Sequence, residues 1–414
     1  FIVISFSLGL LFWGFMMILE KAKKILRAGN VCNHCLGRQF AQLLTETGNV
    51  ERGNAIRYAL ALEFENKVFK INKSNFSGFS FRKRKTDKKT PECIICGNIF
   101  DKLDFWSGKA IEKLKKHEFS TFLAGVKLND DLVMKEENLW DKAGLEWAES
   151  IKSEINREFG KIVEKALKKK VDFENPDILV ILNLHDYGIE INIRSVFVYA
   201  RYNKLVRGIP QTRWDKYDIS VEELIGEPMK KAFGSDDYIL HGMGREDIDA
   251  RCLGWRPFVM ELINPKKRKI DLKKLESAIN KSKKVQIKSL RCSDRKEMVD
   301  VKASKSEKSY KVVVEFEKPV ENIESVKKIV GKINQETPNR VMHRRADKER
   351  LRHVKAISWK KISSKKYEFK ITGDAGLYIK ELISGDNGRT RPSVSGILRN
   401  KGNVKELDVI EVRA

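Results

Sequence analysis

The residues most able to do chemistry lie together in His241-Gly-Met-Gly-Arg-Glu-Asp-Ile-Asp-Ala-Arg251. Arg245, Glu246, Asp247 and Asp249 put four ionised side chains into five residues, with Arg251 just behind. A carboxylate held beside a cation can act as a nucleophile or a base without any cofactor. Gly242 and Gly244 precede the cluster and allow backbone paths that a β-carbon would block. The apolar run Trp255 to Ile263 follows and reads as a strand. A charged turn feeding a buried strand can hold a carboxylate at a cleft mouth. The bland alternative is a solvated turn with weak local ion pairs.

A second chemical signal is Cys32-Asn-His-Cys35 with Cys93-Ile-Ile-Cys96. Two such pairs supply the four thiolates of a tetrahedral zinc site, each pair covering one side of the metal. The long gap between the pairs demands an insertion. Four protein ligands leave no position open for water, so the expected ion is a structural Zn²⁺.

Three further stretches carry charge or aromatic rings in patterns worth noting. Lys308-Ser-Tyr310 begins a predicted strand, where a core tyrosine is the ordinary expectation. Arg340-Val-Met-His-Arg-Arg-Ala-Asp347 offers Arg340, Arg344 and Arg345 for phosphate contact. Gly376-Leu-Tyr378-Ile379-Lys380 reads as a strand, with Tyr378 and Lys380 on one side and Ile379 on the other. A cation there would keep a nearby desolvated carboxylate ionised.

The elements that must position these groups alternate between helix and strand. Ile18 to Ala28 has helical spacing. Gly48 to Phe69 reads as helix then strand, and Asn72 to Thr90 as a basic loop. Phe105 to His117 and Leu139 to Lys170 read as helices, the second long and amphipathic. Strands are expected at Asp177 to Asn183, Gly188 to Ile193 and Ser195 to Tyr202. Beyond the charged turn, strands are expected at Gln286 to Leu290 and Val312 to Phe316, and a helix at Ile323 to Ile333.

The composition bounds the function. The chain has 414 residues, a net charge of +25 and 41% hydrophobic residues. Its basic residues are interleaved with apolar ones, which describes folded basic surfaces and a polyanionic partner. Six cysteines, four of them in two close pairs, do not form a secreted disulfide framework, so a cytoplasmic location is expected. There is no P-loop and no Gly-x-Gly-x-x-Gly, which argues against nucleotide-dependent chemistry. Residues 1–19 form an uncharged apolar leader. The expected explanation is a gene start placed upstream of Met16 or Met17. A membrane anchor and an ordinary buried segment are the alternatives.

Gly244-Arg-Glu-Asp247 resembles the catalytic motif of pseudouridine synthases. The longer string through Cys252-Leu-Gly254, with Arg256-Pro-Phe258, resembles the archaeal-type family of tRNA pseudouridine 54/55 synthases. Tyr202 to Trp214 and Gly376 to Pro392 resemble the same family. The segment from Asn175 to Ile193, with the helix before it, resembles a THUMP domain. The resemblance implies an α+β protein with residues 20–195 as a zinc-knuckle and THUMP-like RNA-binding domain. Residues 196–414 would be the catalytic domain, a mixed and mainly antiparallel sheet with a central cleft. It implies Asp247 as the catalytic carboxylate. Tyr310, Tyr378, Ile379, Lys380, Leu407 and Arg245 would surround the target uracil, and no organic cofactor would be needed. The partner would be tRNA, gripped at its TΨC arm and acceptor end by a monomer, with no membrane. The rival reading is a non-catalytic basic tRNA-binding or tRNA-chaperone protein, which has no reason to keep Asp247, Tyr310 and Lys380 together.

Overall fold

A computed structural model describes residues 17–66, 69–82, 91–144 and 146–413. Two compact units divide the chain, Phe1–Ile193 and Arg194–Ala414. The apolar leader falls mainly on residues 1–16, outside the described residues. No described helix is long and apolar enough to cross a membrane.

The first unit opens with helix α1 (17–27), followed by α2 (Asn33–Gly37) and α3 (Asn49–Asn66). The strand expected after α3 is absent among the described residues. Then come α4 (Leu103–Leu114), β1 (Thr121–Lys127), α5 (Asp130–Ala143) and α6 (Ile151–Leu167). The single long helix expected over 139–170 is therefore two. Gly144, at a φ of 80°, closes α5, and the Ser150 side chain caps α6 by accepting from Ser153 N. Apolar spacing ran through both helices because each turns its stripe to the same core. In α6 that stripe is Ile151, Ile155, Phe159 and Val163. Strands β2 (Lys170–Val171), β3 (Ile178–Asn183) and β4 (Gly188–Ile193) complete a sheet of order β2-β1-β3-β4. β1 runs parallel to β2 and β3, and β3 forms a hairpin with β4. The alternating buried positions Phe122, Val126, Ile178, Val180 and Leu182 share one core with residues of α4 and α6, and β1 packs directly on α6.

The second unit is built on one mixed sheet. Its elements are β5 (Val196–Lys204), α7 (Val221–Phe233), β6 (Asp237–Gly242), β7 (Arg251–Ile263), α8 (Leu272–Ile279), β8 (Val285–Ser293), α9 (Arg295–Ala303) and β9 (Lys308–Phe316). They continue with β10 (Gly331–Gln335), β11 (Arg350–Lys361), β12 (Lys366–Gly373), α10 (Ile379–Ser384), β13 (Thr390–Arg391), α11 (Val394–Leu398) and β14 (Gly402–Val412). The ten-stranded sheet runs β13-β10-β11-β12-β9-β14-β7-β5-β8, with β6 pairing β7. Every pairing is antiparallel except that of β14 with β7, where Asp408 lies opposite Arg251 and Val409 opposite Cys252. Two cores pack against the sheet, and β7 contributes to both, with Phe258 and Met260 in one and Cys252 and Val259 in the other. One gathers Val198, Tyr202, Ile225 and Phe258, the other Val312, Phe369, Leu382 and Val409.

Two expectations fail here. The helix expected over Ile323 to Ile333 is a 3-10 turn, Ile323–Ile329, followed by β10. The strand expected through Tyr378 and Lys380 is instead the start of α10. Ile379, Leu382 and Ile383 recur at helical spacing and are all buried.

Candidate active site and thiolate cluster

The turn carrying Asp247 lies immediately before β7, at the parallel seam. Gly244 sits at a φ of 72°, and a β-carbon there would lie 3.5 Å from Arg256 Nη1. Beneath it is a buried polar network. Glu246 is 5% exposed, and its Oε2 lies 3.0 Å from Arg256 Nε. The Tyr202 hydroxyl donates to both Glu246 oxygens, at 3.1 and 2.9 Å. Gln211 Nε2 donates to the Tyr202 hydroxyl and to the Gly244 carbonyl. Lys204 Nζ donates to the carbonyls of Ile209, Asp247 and Ile248. Burial and then the Glu246 charge push the Tyr202 phenol well above its ordinary pKa. The stretch Tyr202 to Gln211 thus clamps the backbone that presents Asp247. Sequence reading marked this stretch by resemblance but did not find its task.

The seam is pinned by Asp408, 1% exposed, which accepts from Arg251 at 3.0 and 2.7 Å and pairs with Arg207 at 2.6 Å. Burial works against the Asp408 charge, but both arginines outweigh it and hold its pKa below the usual carboxylate value. Arg207 Nη1 also donates to the carbonyls of Asp249 and Leu407, tying the turn to β14.

Asp247 faces a cavity of about 570 Å³. The same cavity is lined by Tyr310, Tyr378, Ile379, Leu407 and Arg245, and by Arg340 and Arg345. Lys380, on the first turn of α10, places Nζ 3.4 Å from Asp247 Oδ2. Every sequence-predicted pocket residue is therefore at one place. Eight cationic side chains line the cavity against two carboxylates, Glu246 and Asp247. That balance suits a polyanion entering it.

Three details differ from the sequence picture. Lys380 gives its shortest contacts to Asp249, at 2.7 and 2.8 Å. Burial works against the Asp249 charge, but Lys380 and, more remotely, Arg340 leave its pKa lowered. Arg340, expected on the phosphate path, turns to Asp247, with Nη2 3.2 Å from Oδ2 and Nη1 3.4 Å from Oδ1. Its Nε donates to Glu381 at 2.7 Å. Burial disfavours the Arg340 cation, yet Glu381 and Asp247 raise its pKa overall. Arg345 Nη1 donates to the Tyr378 hydroxyl at 2.8 Å. The Arg344 side chain lies outside the described residues.

Tyr310, on β9, is 7% exposed, and burial pushes its hydroxyl up to about 12, so it stays protonated. Lys308 on the same strand is pulled down to about 8 by burial and then by Arg256. Gln335, fully buried, holds Tyr378 by accepting from its N–H and donating to its carbonyl, both at 2.9 Å.

In the first unit, Cys32, Cys35, Cys93 and Cys96 bring their sulfurs within 4.8 Å of one another. Cys32 and Cys96 are 3.6 Å apart, close to the roughly 3.8 Å that tetrahedral Zn–S bonds require. Backbone N–H groups of Cys32 and Cys35 point at Cys93 and Cys32 sulfurs. Gly97 and Asn98 both take positive φ, turning the second pair back on itself, and Asn98 Oδ1 accepts from Cys93 N. The donor set fits a tetrahedral metal. His34 is engaged elsewhere, on Glu154 at 2.8 Å and stacked on Phe100.

Comparison with known proteins adds the chemistry. The family described as "Pus10, C-terminal" matches residues 197–413, and "Pus10 THUMP domain, archaeal" matches residues 106–183. The chain is 40% identical to a tRNA pseudouridine synthase Pus10 of Methanocaldococcus jannaschii, covering 94% of this chain and 93% of the relative. It is 38% identical to that of Pyrococcus furiosus over 96% and 98%. It is 37% identical to that of Methanothrix thermoacetophila over 95% and 94%. The fold and these matches define an RNA-modifying enzyme, a pseudouridine synthase carrying a THUMP module. The chain belongs to the Pus10 family of tRNA pseudouridine synthases. The reading as a mere tRNA-binding protein gives way to an enzyme.

Proposed function

We propose that the chain isomerises uridine 54, uridine 55 or both in the TΨC arm of tRNA, with Asp247 as the reacting carboxylate. The observation that carries this is the meeting of Asp247, Tyr310, Tyr378, Ile379 and Leu407 around one cation-rich cavity. The reaction breaks the bond from C1′ to N1 of the uracil, turns the base and joins C1′ to C5. The C5 proton leaves and N1 gains one, so the product is an isomer. Asp247 serves either by attacking C1′ or by taking a proton from the sugar. Tyr310 and Leu407 are read as the walls of the uracil pocket, and Arg245 as a contact to the incoming strand. Flipping the base out of its stack costs a few kcal/mol, and phosphate contacts to cations such as Arg345 offset it.

The remaining parts follow the same reading. Residues 20–195 would be the zinc-knuckle and THUMP-like domain gripping the acceptor end, and residues 196–414 the catalytic domain. Cys32, Cys35, Cys93 and Cys96 would hold one structural Zn²⁺. No organic cofactor takes part, and the enzyme works as a cytoplasmic monomer. The test is to map pseudouridine in an unmodified tRNA transcript after treatment with the purified protein. Modification at neither 54 nor 55 would sink the positional reading.

A further inference from the structure

Glu381 is 6% exposed at its side chain and sits one residue beyond Lys380 on α10. Its Oε1 accepts from Arg340 Nε at 2.7 Å, and its Oε2 has no hydrogen-bond partner among the described residues. A carboxylate at that depth is costly unless its partner is well placed. The other edge of the same guanidinium meets both oxygens of Asp247, at 3.2 and 3.4 Å. One arginine therefore joins two carboxylates from different elements, the turn before β7 and the first turn of α10.

Lys380 is poorly suited to that task. Its ammonium is a point charge on a flexible stem, and its shortest contacts go to Asp249. A guanidinium anchored through Nε has a fixed plane, so its Nη edge can dictate the plane of a facing carboxylate.

We propose that Glu381 and Arg340 are positioning residues for the reaction: Glu381 orients Arg340, and Arg340 fixes the plane of the Asp247 carboxylate. This rests on the reading of Asp247 as the reacting group. Among the other cations near Asp247, Lys380 is engaged by Asp249 at 2.7 Å and reaches Asp247 only at 3.4 Å. Arg340 is the cation that meets both Asp247 oxygens, so losing it or its Glu381 anchor leaves the plane of that carboxylate unfixed.

The experiment is single-turnover isomerisation of a tRNA transcript, with tRNA affinity measured alongside. Glu381→Gln should slow the reaction about 10- to 100-fold, as lost support of a reacting group does. Its affinity should match the parent. Arg340→Gln should be at least as slow, again without a matching loss of affinity. The double variant should be no slower than Arg340→Gln alone, because Glu381 acts only through Arg340. Arg340→Lys keeps the charge but loses the planar fork, and should still be slow. Parent-like turnover in Glu381→Gln, additive losses, or a loss confined to affinity would overturn the proposal. If Glu381→Gln fails to fold, parent-like turnover in Arg340→Lys would overturn it instead. Asp247→Asn is the control. If that variant is active, the site reading itself fails. If it is dead while Glu381→Gln is unaffected, only the relay fails.

Discussion

Lys380 binds Asp249 through both carboxylate oxygens, at 2.7 and 2.8 Å, while it reaches Asp247 only at 3.4 Å. The lysine thus stands between two acids two residues apart, and the nearer one is not the proposed reacting group. Removing either acid therefore tests different things.

Asp247→Asn should lower turnover by about 10³-fold or more, as loss of the reacting carboxylate implies, while tRNA binding stays near that of the parent. Asp249→Asn frees Lys380 for Asp247 and should keep most of the activity. Single-turnover rates on both variants decide this. The reverse order, with Asp249→Asn dead and Asp247→Asn active, would move the reacting group to Asp249.

Lys380→Met should cripple turnover but leave a measurable remainder, because Arg340 still faces both oxygens of Asp247. Residual activity should then vanish when Arg340→Gln is added. A Lys380→Met variant that turns over like the parent would show that Arg340 alone supplies the cation.

Lys308 gives a pH signature. Folded, it loses its proton near 8; unfolded, it keeps it to about 10.5, the ordinary value for a lysine. Between those values the folded chain binds fewer protons, so Lys308 makes stability rise with pH across that window. Melting temperatures of the parent and of Lys308→Met, followed over the alkaline range, should diverge there, with the variant rising less. Parallel curves would place the lysine in a wetter setting than its burial implies.

The Glu246–Arg256 pair supports the turn that carries Asp247 from below. Breaking a fully buried pair by removing one partner costs about 3–5 kcal/mol. Glu246→Ala should therefore lower the denaturant midpoint sharply, and it should slow turnover because the Tyr202 and Arg256 contacts that hold the turn lose their centre. An unchanged midpoint would mean the network is incidental.

For the first unit, purified protein should carry about one zinc per chain, and Cys93→Ser should lose both the metal and thermal stability. Full zinc with full stability in that variant would refute the tetrahedral set.

The charged turn and the paired cysteines are legible in the sequence because each depends on local residue types at fixed spacing, whereas the mainly antiparallel sheet is implied only by the family resemblance. Residues 139–170 were misread because apolar spacing continues across Gly144, and only the cap at Ser150 marks the restart. Tyr378 to Lys380 looked like strand because three residues cannot separate the two periods; the buried Leu382 and Ile383 settle it as helix. The partner of Arg340 was out of reach for another reason. Asp247 lies 93 positions away, and no local pattern announces that an arginine in a basic run will turn inward. Glu381 carried no signal beyond its place next to Lys380.

One feature of the large sheet governs how the site comes into being. β14 follows every other strand in the chain, yet it lies between β9 and β7. As the polypeptide emerges, the strands of both half-sheets are made before the strand that joins them, so β9 and β7 lack their shared partner until then. The wall bearing Leu407 and the Asp408 clamp on Arg251 arrive together in that last insertion. A nascent chain therefore has no assembled cavity until its central strand is threaded. Long-range closure of this kind is slow and leaves edges exposed meanwhile. Synthesis halted before Gly402 would release a sticky, inactive pair of sheets rather than a weakened enzyme.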